Sequence, residues 1–472
     1  MRRTKIVCTI GPASESLECL SQLAEAGMNV ARLNFSHGSH EWHGERIRLI
    51  RAIEAERGQP IAILQDLCGP KLRIGQVPPA GVTLQVGSTC LLSTEPFEAG
   101  ETPRIPVPLP GLLEALKPAS VVYMDDAQIE LEVVEKRTEG VLCLVRHGGL
   151  LMSRKGVTAP GADFKIAALT EKDLADAAFG IASGVDYIGV SFVRRAADME
   201  PLRVLLAQAK SGTRLIAKIE KPEALENLEE ILAAADGLMV ARGDLGVEVP
   251  LHQVPVIQKQ LIRAGIAAGK PVITATQMME SMIKAPRPTR AEVSDVANAV
   301  FDGTSAVMLS GETAMGDFPI QTVLAMATTA EYAEGHLPYS QLLREGLERD
   351  AVSRGEALSQ GVTEIASDLG AAAILCSTSS GETARQFARL RPSTPIIAAT
   401  ANVATYRRLA LLWGIQPLLV PETSIVEERI VAMIAGAKSA GWVKPGDTVV
   451  VTAGASVGTP GGTTAFRVET VK

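Results

Sequence analysis

At 472 residues with 46% hydrophobic content, the chain is too long for one ordinary core and has apolar residues enough for roughly two to four. Its formal net charge of −7 argues against nucleic acid or an anionic membrane as principal partner, since either favours a basic surface. The opening MRRTKIVCTIG has no long apolar region or small-residue cleavage site, and no later stretch approaches the roughly 20 uncharged apolar residues of a membrane span, so a soluble enzyme is expected.

Short β-branched runs recur, each closing on a polar or glycine-containing turn and followed by a helical pattern. In chain order they read KIVCTIG, NVARLNF, IAILQDL, YIGVSFV, RLIAKIE, GLMVARGD, PVITATQ and AVMLSGE. Between the first two, Leu17, Leu20, Leu23 and Ala24 share a helical face, with Ser16 as N-cap and Gly27 as stop. After the third run the rhythm breaks. Between about residues 70 and 167 glycine and proline abound, and VTLQV, IELEVV and VLCLVRH alternate in period two, which predicts a small inserted antiparallel β unit. The helical pattern resumes at TEKDLADAAFGIASG, and beyond residue 335 AAILCST, PIIAAT, QPLLV and DTVVVTAG predict the strands of a further α/β unit. The expected domains are 1–69 with 168–335, an inserted 70–167, and 336–472. The six cysteines, Cys8, Cys19, Cys68, Cys90, Cys143 and Cys376, form no CxxC pair, and a reducing cytoplasm suits them.

Eight apolar strands alternating with helices predict a closed parallel barrel, whose active site gathers just past the strand C-termini. That rule singles out Asn34 and Ser36, Asp66, Lys218 and Glu220, Gly243 and Asp244, Thr276, and finally Ser310 and Glu312. Lys218 and Glu220, two apart on one strand, point the same way. With Asp244 they make either a magnesium site beside a phosphate-binding ammonium or a structural rim ion pair. Gly243 permits close backbone approach to a ligand or is an ordinary turn glycine, and Thr276 is a carboxylate ligand, a proton relay or simply a β-former. Arg32 and Arg73 are phosphate clamps or solvated charges. No GxxxxGK[ST] occurs, so any nucleotide is held without a P-loop. Thr378-Ser379-Ser380-Gly381-Glu382-Thr383, running into a helix, is a phosphate cradle or a hydroxyl-rich cap.

Together, TKIVCTIGPAS, NVARLNFSHG, LIAKIEKPEAL, MVARGDLGVEVP, ATQMMESM, PTRAEVSDVANAV and MLSGETAMGDFP closely resemble the pyruvate kinase family, in its order and over essentially the whole chain. The resemblance implies an α/β fold: a (β/α)8 TIM barrel with an inserted small β-barrel lid and a C-terminal α/β effector and oligomerisation domain, usually in a homotetramer. It implies phosphoryl transfer from phosphoenolpyruvate to ADP, giving pyruvate and ATP. By motif, Arg32 and Lys218 hold the phosphoryl group, Glu220 and Asp244 hold Mg2+ (or Mn2+), and Gly243, Asp244 and Thr276 hold the substrate carboxylate. Asn34, His37, Arg73 and Lys155 lie near the nucleotide phosphates. The competing readings are a magnesium-dependent carbon–carbon lyase acting on a pyruvate enolate and a catalytically silent metabolite sensor. The first has no use for the lid, and the second would be expected to have lost Lys218, Glu220 or Asp244.

Two departures from the family pattern carry expectations. Potassium-dependent members read roughly Asp-Thr-Lys-Gly-Pro-Glu where this chain has Asp66-Leu67-Cys68-Gly69-Pro70-Lys71. Asn34, Ser36, Asp66 and the Leu67 carbonyl could form a monovalent cation site, but the Lys71 ammonium partly replaces the ion, so K+ is expected not to be required. Glu382 stands where bisphosphate-regulated relatives carry a phosphate-tolerant residue, which points to a sugar-monophosphate or nucleotide-monophosphate effector at Thr378, Ser379, Ser380, Gly381 and Thr383.

Overall fold

The computed structural model describes residues 1–162, 167–348, 353–454 and 463–472. All eight expected barrel strands form: β1 (Lys5–Ile10), β2 (Val30–Asn34), β3 (Ala62–Asp66), β4 (Tyr187–Val190), β5 (Arg214–Ile219), β6 (Gly237–Ala241), β7 (Val272–Ala275) and β8 (Ala306–Leu309). Every neighbouring pair is parallel, and β8 returns to β1 with Ala306 beside Lys5, so the sheet closes without an edge. Burial on both faces explains the continuous apolar runs. One alternating set, including Ile6, Cys8, Leu33, Ile63 and Ile188, packs under the surrounding helices. The other, including Val7, Val30, Leu64, Ile216, Met239, Ile273 and Met308, fills the lumen.

The first helix, Leu17–Ala26, starts where expected. The Cys19 amide donates to Ser16 Oγ at 3.1 Å, and Gly27 ends it at φ +123°. Leu20, Leu23 and Ala24 are buried, but Leu17 is 50% exposed, because as the first helical residue it precedes the turn that faces the core.

The inserted segment has its own hydrophobic core, with Ile74, Cys90, Ile105, Leu131 and Val145 among its members. Its principal sheet runs in the order Val157–Thr158, Val121–Met124, Ile129–Arg137, Gly140–His147, Thr89–Ser93, Arg104–Pro106, and a two-stranded sheet joins Gly149–Leu151 to Val82–Leu84. The pairings are antiparallel except the last in the principal sheet, where Leu91 meets Arg104 in parallel register.

The C-terminal unit is a five-stranded sheet of β9 (Ala373–Ser377), β10 (Ile396–Thr400), β11 (Ile415–Leu419), β12 (Thr448–Gly454) and β13 (Thr463–Thr470), ordered β11-β10-β9-β12-β13. The first four match the expected runs and pair in parallel, whereas β13 is an additional antiparallel edge strand. This unit seats against the barrel floor. Its Ala410 and Leu411 belong to the lumen cluster, and Tyr187 Oη donates to the Arg408 carbonyl at 2.7 Å.

Candidate active site

The period of two that sends Val7, Val30, Leu64 and Ile216 into the lumen sends Thr9, Arg32, Asp66 and Lys218, two residues further along the same strands, into the layer above. That layer is polar and linked throughout. Thr9 Oγ1 donates to the Leu309 carbonyl at 2.8 Å and accepts Arg32 Nη1 at 2.8 Å. Arg32 Nε donates to Asp66 Oδ2 at 2.7 Å. Lys218 Nζ lies 3.2 Å from Asp66 Oδ1, 2.9 Å from Glu220 Oε1 and 2.7 Å from Ser191 Oγ. Asp66 fits because β4 presents Gly189 to it: a side chain there would begin 3.3 Å from Asp66 Oδ1.

The charges of this cluster define one another. Burial pulls the Lys218 ammonium toward neutrality, but Asp66, Glu220 and Asp244 outweigh it and hold the pKa above the ordinary lysine value, so the residue keeps its proton. Burial also pushes the Asp66 carboxyl up, yet Lys218 and Arg32 more than reverse this, and it stays ionised. Glu220 goes the other way: burial raises it and the Asp244 charge adds to the rise, against the opposing pull of Lys218. Its second oxygen accepts the Phe192 amide at 2.8 Å.

Asp244 lies in the first turn of the helix Arg242–Glu248, exposed to the cleft beneath the lid. Lys71, Tyr123, Glu220 and Lys221 line the same cleft. Glu220 and Asp244 thus offer two hard oxygen donors, near enough for the charge of one to shift the other, and this set fits a small divalent cation. Next to them the Gly243 amide donates to Thr276 Oγ1 at 2.7 Å, with Thr276 at φ +68°.

The residue that builds this corner is Arg242, to which the sequence reading gave no role. It donates through Nε to the Ala275 carbonyl at 3.2 Å, through Nη2 to the Thr276 carbonyl at 2.7 Å, and through Nη1 to Asp295 at 2.8 Å. The ends of β6 and β7 are thereby locked together. Ser191 and Thr9 were also unassigned, although the two-residue period locates Thr9 once Val7 is known to face the lumen. Glu312 turns inward and accepts the Ser310 and Met279 amides at 2.6 and 3.2 Å, a structural use.

The remaining expected residues are placed as follows. Asn34 pairs in register with Asp66 across β2 and β3, and its Oδ1 accepts the Ser36 amide at 3.1 Å. The Leu67 carbonyl accepts Ser191 Oγ at 2.8 Å. His37 is exposed, and its carbonyl takes a hydrogen bond from His43 Nε2 at 2.9 Å. On the lid, Arg73 donates to the Arg154 carbonyl at 2.9 Å, and Lys155 is paired with Asp125 at 2.7 Å. In the C-terminal unit Thr378 Oγ1 accepts the Gly381 amide at 2.9 Å, Ser380 Oγ accepts the Glu382 amide at 3.4 Å, and Thr378 and Thr383 are buried while Ser379 is exposed. Glu382 is ion-paired with Arg385, so the repulsion expected of its charge is offset.

A parallel barrel with a β lid over a buried lysine and a pair of carboxylates is an arrangement suited to an enzyme of the phosphoryl-transfer kind. The family models described as pyruvate kinase, barrel domain, and pyruvate kinase, alpha/beta domain, match residues 1–323 and 356–469. The chain is 47% identical to the pyruvate kinase of Geobacillus stearothermophilus and 46% identical to pyruvate kinase 2 of Synechocystis, covering all of this chain and 80% of each relative. It is 40% identical to the pyruvate kinase of Clostridium acetobutylicum, with both chains covered completely. The chain belongs to the pyruvate kinase family.

Proposed function

We propose that this enzyme transfers the phosphoryl group of phosphoenolpyruvate to ADP at the mouth of the barrel, giving pyruvate and ATP. The observation that carries the reading is the Lys218 ammonium, buried, ion-paired and aimed from β5 into the polar layer shared with Asp66 and Glu220. Phosphoryl transfer needs positioning and charge neutralisation rather than covalent catalysis, and a fixed ammonium in a water-poor site suits it.

In this assignment Lys218 and Arg32 hold the transferring phosphoryl group, while the Gly243 and Thr276 corner orients the substrate carboxylate. Glu220 and Asp244 hold Mg2+ or Mn2+, which when bound supplies positive charge to phosphoryl oxygens. Thr276 lies at the substrate carbon side and serves to pass a proton through water. Asn34, His37, Arg73 and Lys155 bind the nucleotide phosphates, for which Lys155 exchanges its Asp125 partner. The lid keeps water from competing for the phosphoryl group.

Lys71, which lines the cleft with Glu220 and Asp244, supports activity without K+. The remaining assignments are the domain limits 1–69 with 168–335, 70–167 and 336–472, a cytoplasmic homotetramer, and a sugar-monophosphate or nucleotide-monophosphate effector at Thr378, Ser379, Ser380, Gly381 and Thr383. The experiment is a coupled assay of pyruvate release from phosphoenolpyruvate and ADP, with Lys218→Met beside the wild type. Turnover falling by about 10³-fold or more supports the assignment, and a variant within tenfold of wild type removes it.

A further inference from the structure

We propose that Asp173 is a positioning residue for phosphoryl transfer, pinning together the two chain crossings between barrel and lid and through them seating Lys218 and Glu220. Asp173 is fully buried in the first turn of the helix Glu171–Ala182, where the chain re-enters the barrel from the lid. One of its carboxylate oxygens accepts the Gly69 amide at 3.0 Å, from the outgoing crossing. The other accepts the Thr170 amide at 2.8 Å and Thr170 Oγ1 at 2.6 Å, from the returning crossing. The adjacent Lys172 pairs with Asp176 and donates to the Phe35 carbonyl at 2.9 Å, so the same turn also holds the loop that follows β2.

The contact matters to the chemistry because of what Gly69 presses against. At φ +66°, Gly69 sits so close to Ser191 and Phe192 that an added Cβ would lie 2.9 Å from Ser191 Cβ and 2.8 Å from Phe192 Cδ2. Ser191 Oγ accepts Lys218 Nζ, and the Phe192 amide donates to Glu220. Freeing Gly69 from Asp173 therefore loosens the two groups that orient the lysine and the carboxylate. The capping box of Ser353 and Glu356 also has a distant partner, since Glu356 pairs with Arg389 at 2.6 Å, but that contact stays within the C-terminal unit and touches nothing that lines the cleft. At the Thr170 box the carboxylate has a long-range duty as well.

The test compares Asp173→Ala, Asp173→Asn and Ser353→Ala in the full chain, the last as a matched loss of a helix cap far from the cleft. Asp173→Ala is expected to lower kcat by about ten- to a hundredfold while leaving the phosphoenolpyruvate KM within a few-fold, because positioning is lost and the binding groups remain. Asp173→Asn, whose carbonyl oxygen can still take the Gly69 amide, is expected to recover part of that loss. Ser353→Ala is expected to lower the melting temperature only. Asp173→Ala with kcat within twofold of wild type, or Ser353→Ala losing as much turnover, overturns the proposal.

The kinetic arm rests on the phosphoryl-transfer reading, which Lys218→Met tests separately. Amide hydrogen exchange on the wild type needs neither that reading nor a folded variant. The Gly69 and Thr170 amides are expected to be protected and to share one opening rate, and a rapidly exchanging Gly69 amide overturns the pin.

Discussion

Gly189 sits beside Asp66 in the register of the adjacent strands β4 and β3, so closely that a methyl group in its place would start 3.3 Å from the carboxylate. Asp66 cannot step aside, because Arg32 and Lys218 hold it from two directions. Gly189→Ala is therefore expected to cost turnover more than stability, with kcat down about tenfold through a displaced Lys218. Steady-state kinetics beside a thermal melt checks this, and a lowered melting temperature with unchanged kcat would contradict it.

Removing the Asp66 charge leaves Arg32 and Lys218 facing one another in a buried layer. Asp66→Asn is expected to destabilise the fold by about 3 kcal/mol, the usual cost of breaking a buried ion pair from one side. Urea unfolding measures it, with a change under 1 kcal/mol as the contrary result.

Acid should act on this same residue. Because the folded-state pKa of Asp66 lies below its unfolded value, the folded state releases its proton more readily. Asp66 therefore contributes stability that is complete above the unfolded pKa near 4 and lost as pH falls through the depressed folded value. Unfolding free energies taken between about pH 6 and pH 3 should decline less steeply in Asp66→Asn than in wild type. Parallel curves would contradict the assignment.

Glu220 titrates in the opposite sense. Burial and Asp244 raise it to about 7, so between its unfolded value near 4.3 and that pH the folded state holds the proton, and its contribution to stability declines as pH rises. A cation must displace that proton. Mn2+ affinity, read by electron paramagnetic resonance, should rise between pH 6 and 8 by about tenfold or less, one proton's worth per unit. Glu220→Gln should bind weakly at every pH, and a flat wild-type profile would argue that the proton is elsewhere.

Potassium offers a separate test. Replacing tetramethylammonium chloride by potassium chloride at constant ionic strength is expected to change kcat by less than about twofold if, as proposed, Lys71 supplies the fixed charge. Lys71→Glu is expected to create a potassium requirement. Many-fold activation of the wild type by potassium would refute the role given to Lys71.

What could be read from the sequence follows the range of the forces involved. The barrel strands are visible because two-sided burial writes itself as unbroken apolar runs, and Lys218 and Glu220 are visible because their spacing sets their direction. β13 escapes notice because Arg467 and Glu469 interrupt its apolar residues on an exposed edge. Ser191, Arg242 and Asp173 are harder still. Each is defined by a partner far along the chain, 27 residues away for Ser191 and Lys218 and 104 for Asp173 and Gly69, and no local periodicity marks such a contact.

The barrel does not contain its own floor. Ala410 and Leu411, from beyond its last strand, complete the lumen cluster that begins with Val7 near the start of the chain. A nascent chain that has all eight strands but not yet the C-terminal unit lacks Ala410 and Leu411, and the apolar side chains they cover are expected to be less protected from water until that unit arrives. The catalytic half of the molecule is thus the first made and among the last finished, and a fragment cut at its apparent boundary should aggregate rather than fold.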